Sequence, residues 1–324
     1  MLQIGRRQFV SLLGGAAVWP LGARAQQTGR VWRIGVLVAE PWPEVEGLHD
    51  GLRDLGYREG ENLLIQYRFA NGDAGRFPDL AAELINIPVD LIVTWGTPAT
   101  LAAMNATHSI PIVMLAGDPV GAGLVASLAR PGGNVTGFSS QTPGREEKQL
   151  DLMKQLLPNV SRVVMLFNST NPYSAVAVPT AQRGAAALNI ALDLADASAV
   201  SDLDTALRRA ISQRPDAALV MADPFLAGQR VLIAELMQKY RLPAIYPYLK
   251  HVQAGGLIAY MTFHYDVFRQ EAAVIDKLFK GANPGDLPVQ SAMRFELAIN
   301  LKTAKALGLS IPSTLLERAD RLIE

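Results

Sequence analysis

Asp90-Leu91-Ile92-Val93-Thr94-Trp95-Gly96-Thr97-Pro98-Ala99 carries the reading that decides the fold. A near-continuous apolar run of this length is what a strand buried on both faces looks like, and such strands belong to parallel sheets covered by helices. Thr followed by Pro is a helix start, with Thr suited to the N-cap and Pro to the first helical position. One strand-to-helix unit is therefore legible in ten residues, and the chain repeats it in both directions.

Toward the N-terminus lie a strand at Val31 to Val38, a helix from Pro43 to Leu55, a strand at Asn62 to Phe69 and a helix from Phe77 to Asn86. Beyond Ala99 come strands at Pro111 to Leu115 and Asn134 to Phe138. A polar, Gly/Pro-bearing stretch from Ser139 to Gly144 then opens a second series of the same kind. Its strands are Arg162 to Phe167, Ala191 to Leu194, Ala217 to Met221, Pro243 to Tyr246 and Gly256 to Tyr260. Its helices are Arg145 to Leu157, Ala175 to Leu188, Asp202 to Gln213 and Phe225 to Tyr240. Alternation of this type predicts an α/β protein with parallel sheets. A tail follows, with a helix from Asp266 to Lys280, a strand-like Ala292 to Leu301 and a helix from Ser313 to Ile323; it predicts a chain that returns to the first lobe and crosses again.

At 324 residues the chain exceeds what one hydrophobic core usually holds, and 49% hydrophobic content is ample for two. It contains no cysteine, which excludes disulfides, thiolate metal sites and cysteine nucleophiles together. Met1 to Ala25 read as an export leader: the pair Arg6-Arg7, an apolar stretch Ser11 to Val18 too short to span a bilayer, and the small-x-small exit Ala23-Arg24-Ala25. The expected mature start is Gln26, and the expected location is the periplasm. Without the leader, 27 basic residues face 30 acidic ones, and no Lys/Arg cluster offers a face for nucleic acid.

Ligands of open α/β sheets bind beyond the carboxyl ends of the strands, so the loops there hold the candidate residues. The first series offers Glu40 and Trp42, Thr97, and Asp118; the second offers Asn171 and Tyr173, Asp223, and Tyr246 with Tyr248. His264, just after a strand, joins them. Small polar and aromatic residues in this mix suit hydrogen bonding and stacking around a small molecule, and the helix start at Thr97 is a natural seat for a carboxylate.

Catalytic signatures are weak. Gly137-Phe138-Ser139-Ser140-Gln141 lacks the second glycine of a nucleophile elbow. The four histidines fall at no metal-binding spacing. Gly121-Ala122-Gly123-Leu124-Val125-Ala126 fits a loose nucleotide pattern but follows the fourth strand of its series and reads as a tight loop. Glu146-Glu147-Lys148 and Arg208-Arg209 read as solvated helix faces. The sequence asks for no metal and no cofactor, and the expectation is a protein that is not an enzyme.

Gly51-Leu52-Arg53-Asp54-Leu55-Gly56-Tyr57, Gly96-Thr97-Pro98-Ala99, Gly117-Asp118-Pro119-Val120-Gly121, Leu128-Ala129-Arg130-Pro131-Gly132-Gly133-Asn134-Val135-Thr136-Gly137 and Asn300-Leu301-Lys302-Thr303-Ala304-Lys305-Ala306-Leu307-Gly308-Leu309 resemble the ABC transporter substrate-binding protein family that includes tryptophan-type uptake binding proteins. The resemblance implies the type I periplasmic binding-protein fold: two Rossmann-like lobes joined by three crossing hinge segments, closing over a solute. Lobe one is expected at 31–138 plus 266–296 and lobe two at 139–265 plus 297–324. It also implies a monomer that hands a small polar or carboxylate-bearing solute, an amino acid or aromatic compound, to a membrane permease and ATPase. A ligand-sensing subunit of a signalling system and a periplasmic enzyme are the alternatives.

Overall fold

The computed structural model describes residues 30–42, 45–140, 144–262, 264–291 and 294–324. The expected leader lies outside them. Among the described residues no helix is long and apolar enough to cross a membrane.

From Trp32 onward the chain lays down two sheets in succession. The first is built from β1 (Trp32–Val38), β2 (Leu63–Phe69), β3 (Leu91–Trp95), β4 (Ile112–Ala116), β5 (Val135–Ser139) and, much later, β11 (Gln290–Ser291), in the order β11-β5-β4-β3-β1-β2. Every pairing in it is parallel. Every residue of β3, β4 and β5 is buried, as a strand covered on both faces must be. Helices α2 (Phe77–Ile85) and α3 (Thr97–Ala106) cover one face, and α1 (Glu46–Asp54) with α10 (His264–Phe279) the other.

The second sheet takes β6 (Arg162–Phe167), β7 (Ala191–Asp196), β8 (Ala217–Val220), β9 (Ala244–Tyr246), β10 (Ile258–Thr262), β12 (Phe295–Asn300) and β13 (Arg321–Ile323), ordered β13-β12-β10-β9-β8-β6-β7. Around it stand α4 (Arg145–Leu156), α5 (Ser174–Ala187), α6 (Val200–Ile211), α7 (Pro224–Gly228), α8 (Arg230–Lys239), α9 (Leu249–Gln253), α11 (Leu301–Leu307) and α12 (Ser313–Leu316). Each sheet has its own apolar core. The result is a two-lobed α/β molecule. Three passages of chain run between the lobes: from β5 into α4, from β10 into α10, and from β11 into β12.

The second sheet is not wholly parallel, because β12 pairs antiparallel with β10. Its first residue, Phe295, faces the last of β10, Thr262. The chain arrives from the other lobe at the carboxyl ends of the strands and can only run back down.

Sequence periodicity misjudged several local features. Gly96, at φ +95°, is the N-cap of α3, with Thr97 and Pro98 in its first turn; only glycine takes that backbone without strain. The single helix expected from Phe225 to Tyr240 is broken at Gln229 into α7 and α8. Helix α9 stands where none was expected. The expected terminal helix from Ser313 to Ile323 stops at Leu316, and β13 follows it. Asp320 explains the change: its backbone N–H donates to the Leu297 carbonyl at 2.9 Å and its carboxylate accepts the Leu297 N–H at 2.8 Å, which draws the last residues onto the sheet edge.

Two glycines bind α1 to α10. Gly47 and Gly51 lie on its buried face beside Leu48 and Leu52. A methyl group on Gly51 would sit 2.5 Å from the Arg269 carbonyl oxygen, and one on Gly47 would overlap that of Tyr265. Backbone therefore meets backbone along this joint.

Candidate ligand-binding cleft

The carboxyl ends of both sheets face a common cavity, with about 780 Å³ of space not filled by atoms, part of it open to solvent. From the first lobe the loop after β1 contributes Glu40 and Trp42, the β3–α3 junction Trp95, Gly96 and Thr97, the end of β4 Leu115 and Gly117, and the returning helix α10 Phe268. The second lobe contributes Arg145 from the start of α4, Asn171 and Tyr173 from the β6–α5 loop, Pro224 from α7, and Tyr248 before α9. Ser140 and Thr262, from two of the passages between lobes, complete the wall and are joined by a hydrogen bond from Thr262 Oγ1 to the Ser140 carbonyl at 3.1 Å.

Arg145 is the centre of its chemistry. The side chain is buried, 5% exposed, and a guanidinium does not deprotonate in a protein, so a full positive charge sits in the wall. Its Nη2 donates to the Tyr173 hydroxyl at 3.2 Å and lies 3.4 Å from Glu146 Oε1, while Nε has no hydrogen-bond partner among the described residues. The Tyr173 hydroxyl in turn donates to Glu146 at 2.7 Å. Burial raises the Tyr173 hydroxyl well above its usual range and that of Tyr248 to about 12, so both stay neutral donors.

Glu146, taken from its neighbours as part of a solvated face, is 1% exposed. At the first turn of α4 its face turns inward, and the Arg145–Tyr173 pair supplies the partners that make its burial tolerable.

Aromatic rings supply the rest of the wall. Trp95 stacks on Phe268 with centroids 4.2 Å apart and planes 21° from parallel. Trp42 meets Tyr248 edge-on across the cleft at 5.2 Å. The same seam carries charge: Arg230 donates to both Glu40 oxygens at 2.9 and 3.1 Å, and Lys250 reaches Glu40 at 3.4 Å, the Pro41 carbonyl at 3.0 Å and the Trp42 ring at 4.9 Å. The lobes are thus in contact. Gly117 allows it: a methyl group there would stand 3.0 Å from the Tyr173 ring.

Six of the ten residues singled out in the sequence line this cavity: Glu40, Trp42, Thr97, Asn171, Tyr173 and Tyr248. Three are elsewhere. Asp118 folds back on its own loop and accepts the Gly121 N–H at 3.0 Å. Asp223 is 1% exposed behind the wall, where it caps α7 through the Leu226 N–H at 2.8 Å and holds the side-chain amides of Asn171 at 2.8 Å and Asn168 at 3.2 Å. Burial pushes its carboxyl up, against the lowering effect of those donors. Tyr246 is 1% exposed in the second core, stacked on the buried His251 at 5.1 Å. The side chain of His264 lies outside the described residues.

Arg145, Trp95 and Phe268 were missed. Trp95 reads as the last residue of a buried strand, and Phe268 and Arg145 as ordinary helical positions. A signal for Trp95 did exist: it directly precedes a strand-end loop already marked as a ligand position.

Two α/β lobes facing a shared pocket lined by a buried guanidinium and several aromatic rings define a solute-binding protein. The model of the ABC transporter substrate binding protein family matches residues 41–323, and the chain belongs to that family. It is 30% identical over 266 residues, 82% of this chain and 76% of the relative, to the tyrosine-binding protein of Clostridioides difficile (strain R20291). Among solved structures it resembles a conserved domain protein from Vibrio cholerae, at TM-score 0.85 and 30% identity over 90% of this chain and 100% of that one. It also resembles the ABC domain in complex with L-Trp from Streptococcus pneumonia, at TM-score 0.84 and 28% identity over 90% of this chain and 99% of that one.

Proposed function

We propose that this chain is the periplasmic receptor of an ABC uptake system, exported under its twin-arginine leader and cut near Ala25, and that it binds a small solute carrying both a carboxylate and a ring. The lobes are taken as 31–138 with 266–296, and 139–265 with 297–324, to within the few residues by which β5 (to Ser139), α10 (from His264) and β12 (from Phe295) overrun these bounds, and they open about the passages between them. The chain acts as a monomer, leaves its solute chemically unaltered and delivers it to a permease and ATPase.

The observation that carries this reading is the buried Arg145, whose Nε has no hydrogen-bond partner among the described residues, set among Trp42, Trp95, Tyr173, Tyr248 and Phe268. Glu146 already balances the charge of this guanidinium; what Arg145 still offers a carboxylate is its unused N–H donors, held in a fixed plane. The Gly96 N–H donates to the Leu115 carbonyl at 2.8 Å and Pro98 has none, so the start of α3 adds the N–H groups of Thr97 and Ala99, which have no partner within their own helix. The rings accept an aromatic or flat apolar body. A tyrosine-binding relative and a neighbour holding L-Trp support the same solute class.

Arg145 and Tyr248 belong to one lobe, Trp95 and Thr97 to the other, so a solute touches the full set only when the lobes are together. Binding then favours closure by the difference in affinity between the two arrangements, and the closed form is what the permease reads. Thermal unfolding of the full chain with L-tryptophan, L-tyrosine, benzoate and aliphatic amino acids tests the reading, since a ligand of the native form raises apparent stability by mass action. A shift with one or more ring-bearing carboxylates, lost in Arg145→Lys, is the expected result. No shift with any of them, or consumption of a bound compound, overturns it.

A further inference from the structure

Behind the aromatic wall lies a carboxyl group that solute binding as described does not use. Glu271 is fully buried on α10, one turn beyond Phe268 and therefore on the same side of the helix. Its Oε2 accepts the Trp95 indole N–H in a long hydrogen bond of 3.4 Å, and its Oε1 has no partner among the described residues. Trp95 and Phe268 line the cavity and stack on each other. A carboxyl in an apolar interior is costly, and burial drives its pKa far above the usual carboxylate range, so the group is held as the neutral acid. Any apolar residue would fill the space at less cost, but it would leave the indole N–H buried without an acceptor.

We propose that Glu271 is a positioning residue for solute selection: by accepting the Trp95 indole N–H from behind, it fixes the plane of that ring against Phe268 and so sets the wall on which the solute ring rests. Trp95 ends a strand of the first sheet, whereas Phe268 and Glu271 ride on the helix that the chain enters on leaving the second lobe. The hydrogen bond ties the wall to that helix. Loss of the acceptor would let the indole turn to find another partner, and the slot would change shape while both lobes stayed folded. This inference rests on the ring-bearing solute proposed above.

The test compares Glu271→Met, similar in volume but without the oxygen acceptor, with Glu271→Gln, which keeps one, in the full chain. Titration calorimetry with L-tryptophan and L-tyrosine gives affinity, and nitrogen-15 indole spectra without ligand report Trp95 directly. Trp95→Phe identifies its signal among the four tryptophans. Glu271→Met is expected to weaken binding about tenfold and Glu271→Gln less than about threefold, and in a Trp95→Phe background the Met substitution is expected to add less than about twofold, the mark of coupled residues. The Trp95 indole signal should move in Glu271→Met and stay near its place in Glu271→Gln. Equal losses with and without the indole, or an unmoved Trp95 signal in Glu271→Met, would overturn the proposal. If the unmodified chain binds neither these amino acids nor any other ring-bearing carboxylate, the functional reading falls by itself, and the indole signal still decides whether Glu271 holds Trp95.

Discussion

Two joints in this molecule depend on glycine, and they behave differently. Along α1 and α10 the absent side chains of Gly47 and Gly51 let one helix backbone rest on the other, inside a single lobe and against a dense apolar core. Across the cleft, Gly117 faces the Tyr173 ring and Gly228 faces the backbone of Gly72, with charged and aromatic contacts around them and no core of their own. A joint with backbone against backbone and buried apolar surface on both sides is permanent. One made of a few rings and an ion cluster at a solvent edge can open. The same residue type thus serves stability in one place and closure in the other.

Substitution should separate the two. Gly51→Ala puts a methyl group 2.5 Å from the Arg269 carbonyl, where only backbone can yield. Overpacking of this kind costs about 1–3 kcal/mol, so the ligand-free melting temperature should fall by several degrees; an unchanged value would mean that α10 is free to shift. Gly117→Ala should leave that temperature nearly unaltered and weaken solute binding about tenfold, equivalent to about 1.4 kcal/mol, because its methyl group meets the other lobe only on closure. Equal melting losses in both variants would erase the distinction between the joints.

Smaller effects sharpen it further. Glu40→Gln removes the anion shared by Arg230 and Lys250. Affinity should fall about threefold at low salt, and by less at 1 M salt, where charges at a solvent edge are screened within about 3 Å; a loss independent of salt would place Glu40 in contact with solute. Gly228→Ala should be mildest, about twofold in affinity, since its methyl group would stand 3.2 Å from Gly72 Cα at a loop that can give way.

The alternating strands and helices were legible because burial on two faces leaves no other composition for β3, β4 or β8. Strand β12 was legible too, but its antiparallel direction and the short β13 were not, since these depend on the direction from which the chain re-enters a sheet and on Asp320 finding Leu297. Loop position at strand ends pointed to Trp42, Thr97 and Tyr248 in the cavity wall. It could not separate these from Asp118 and Asp223, which share the loops but spend their carboxylates on N–H groups of their own turn and helix.

By itself, then, the sequence determined two α/β series and the strand ends at which they meet, because apolar periodicity and cap residues act over a few neighbouring positions. Which charges left water was decided only in three dimensions. Arg145, Glu146 and Glu271 look like helix-surface residues until Tyr173 and Trp95, 28 and 176 positions away, are brought against them. The free energy of a buried charge or acid is set by those distant partners, and no local pattern records them.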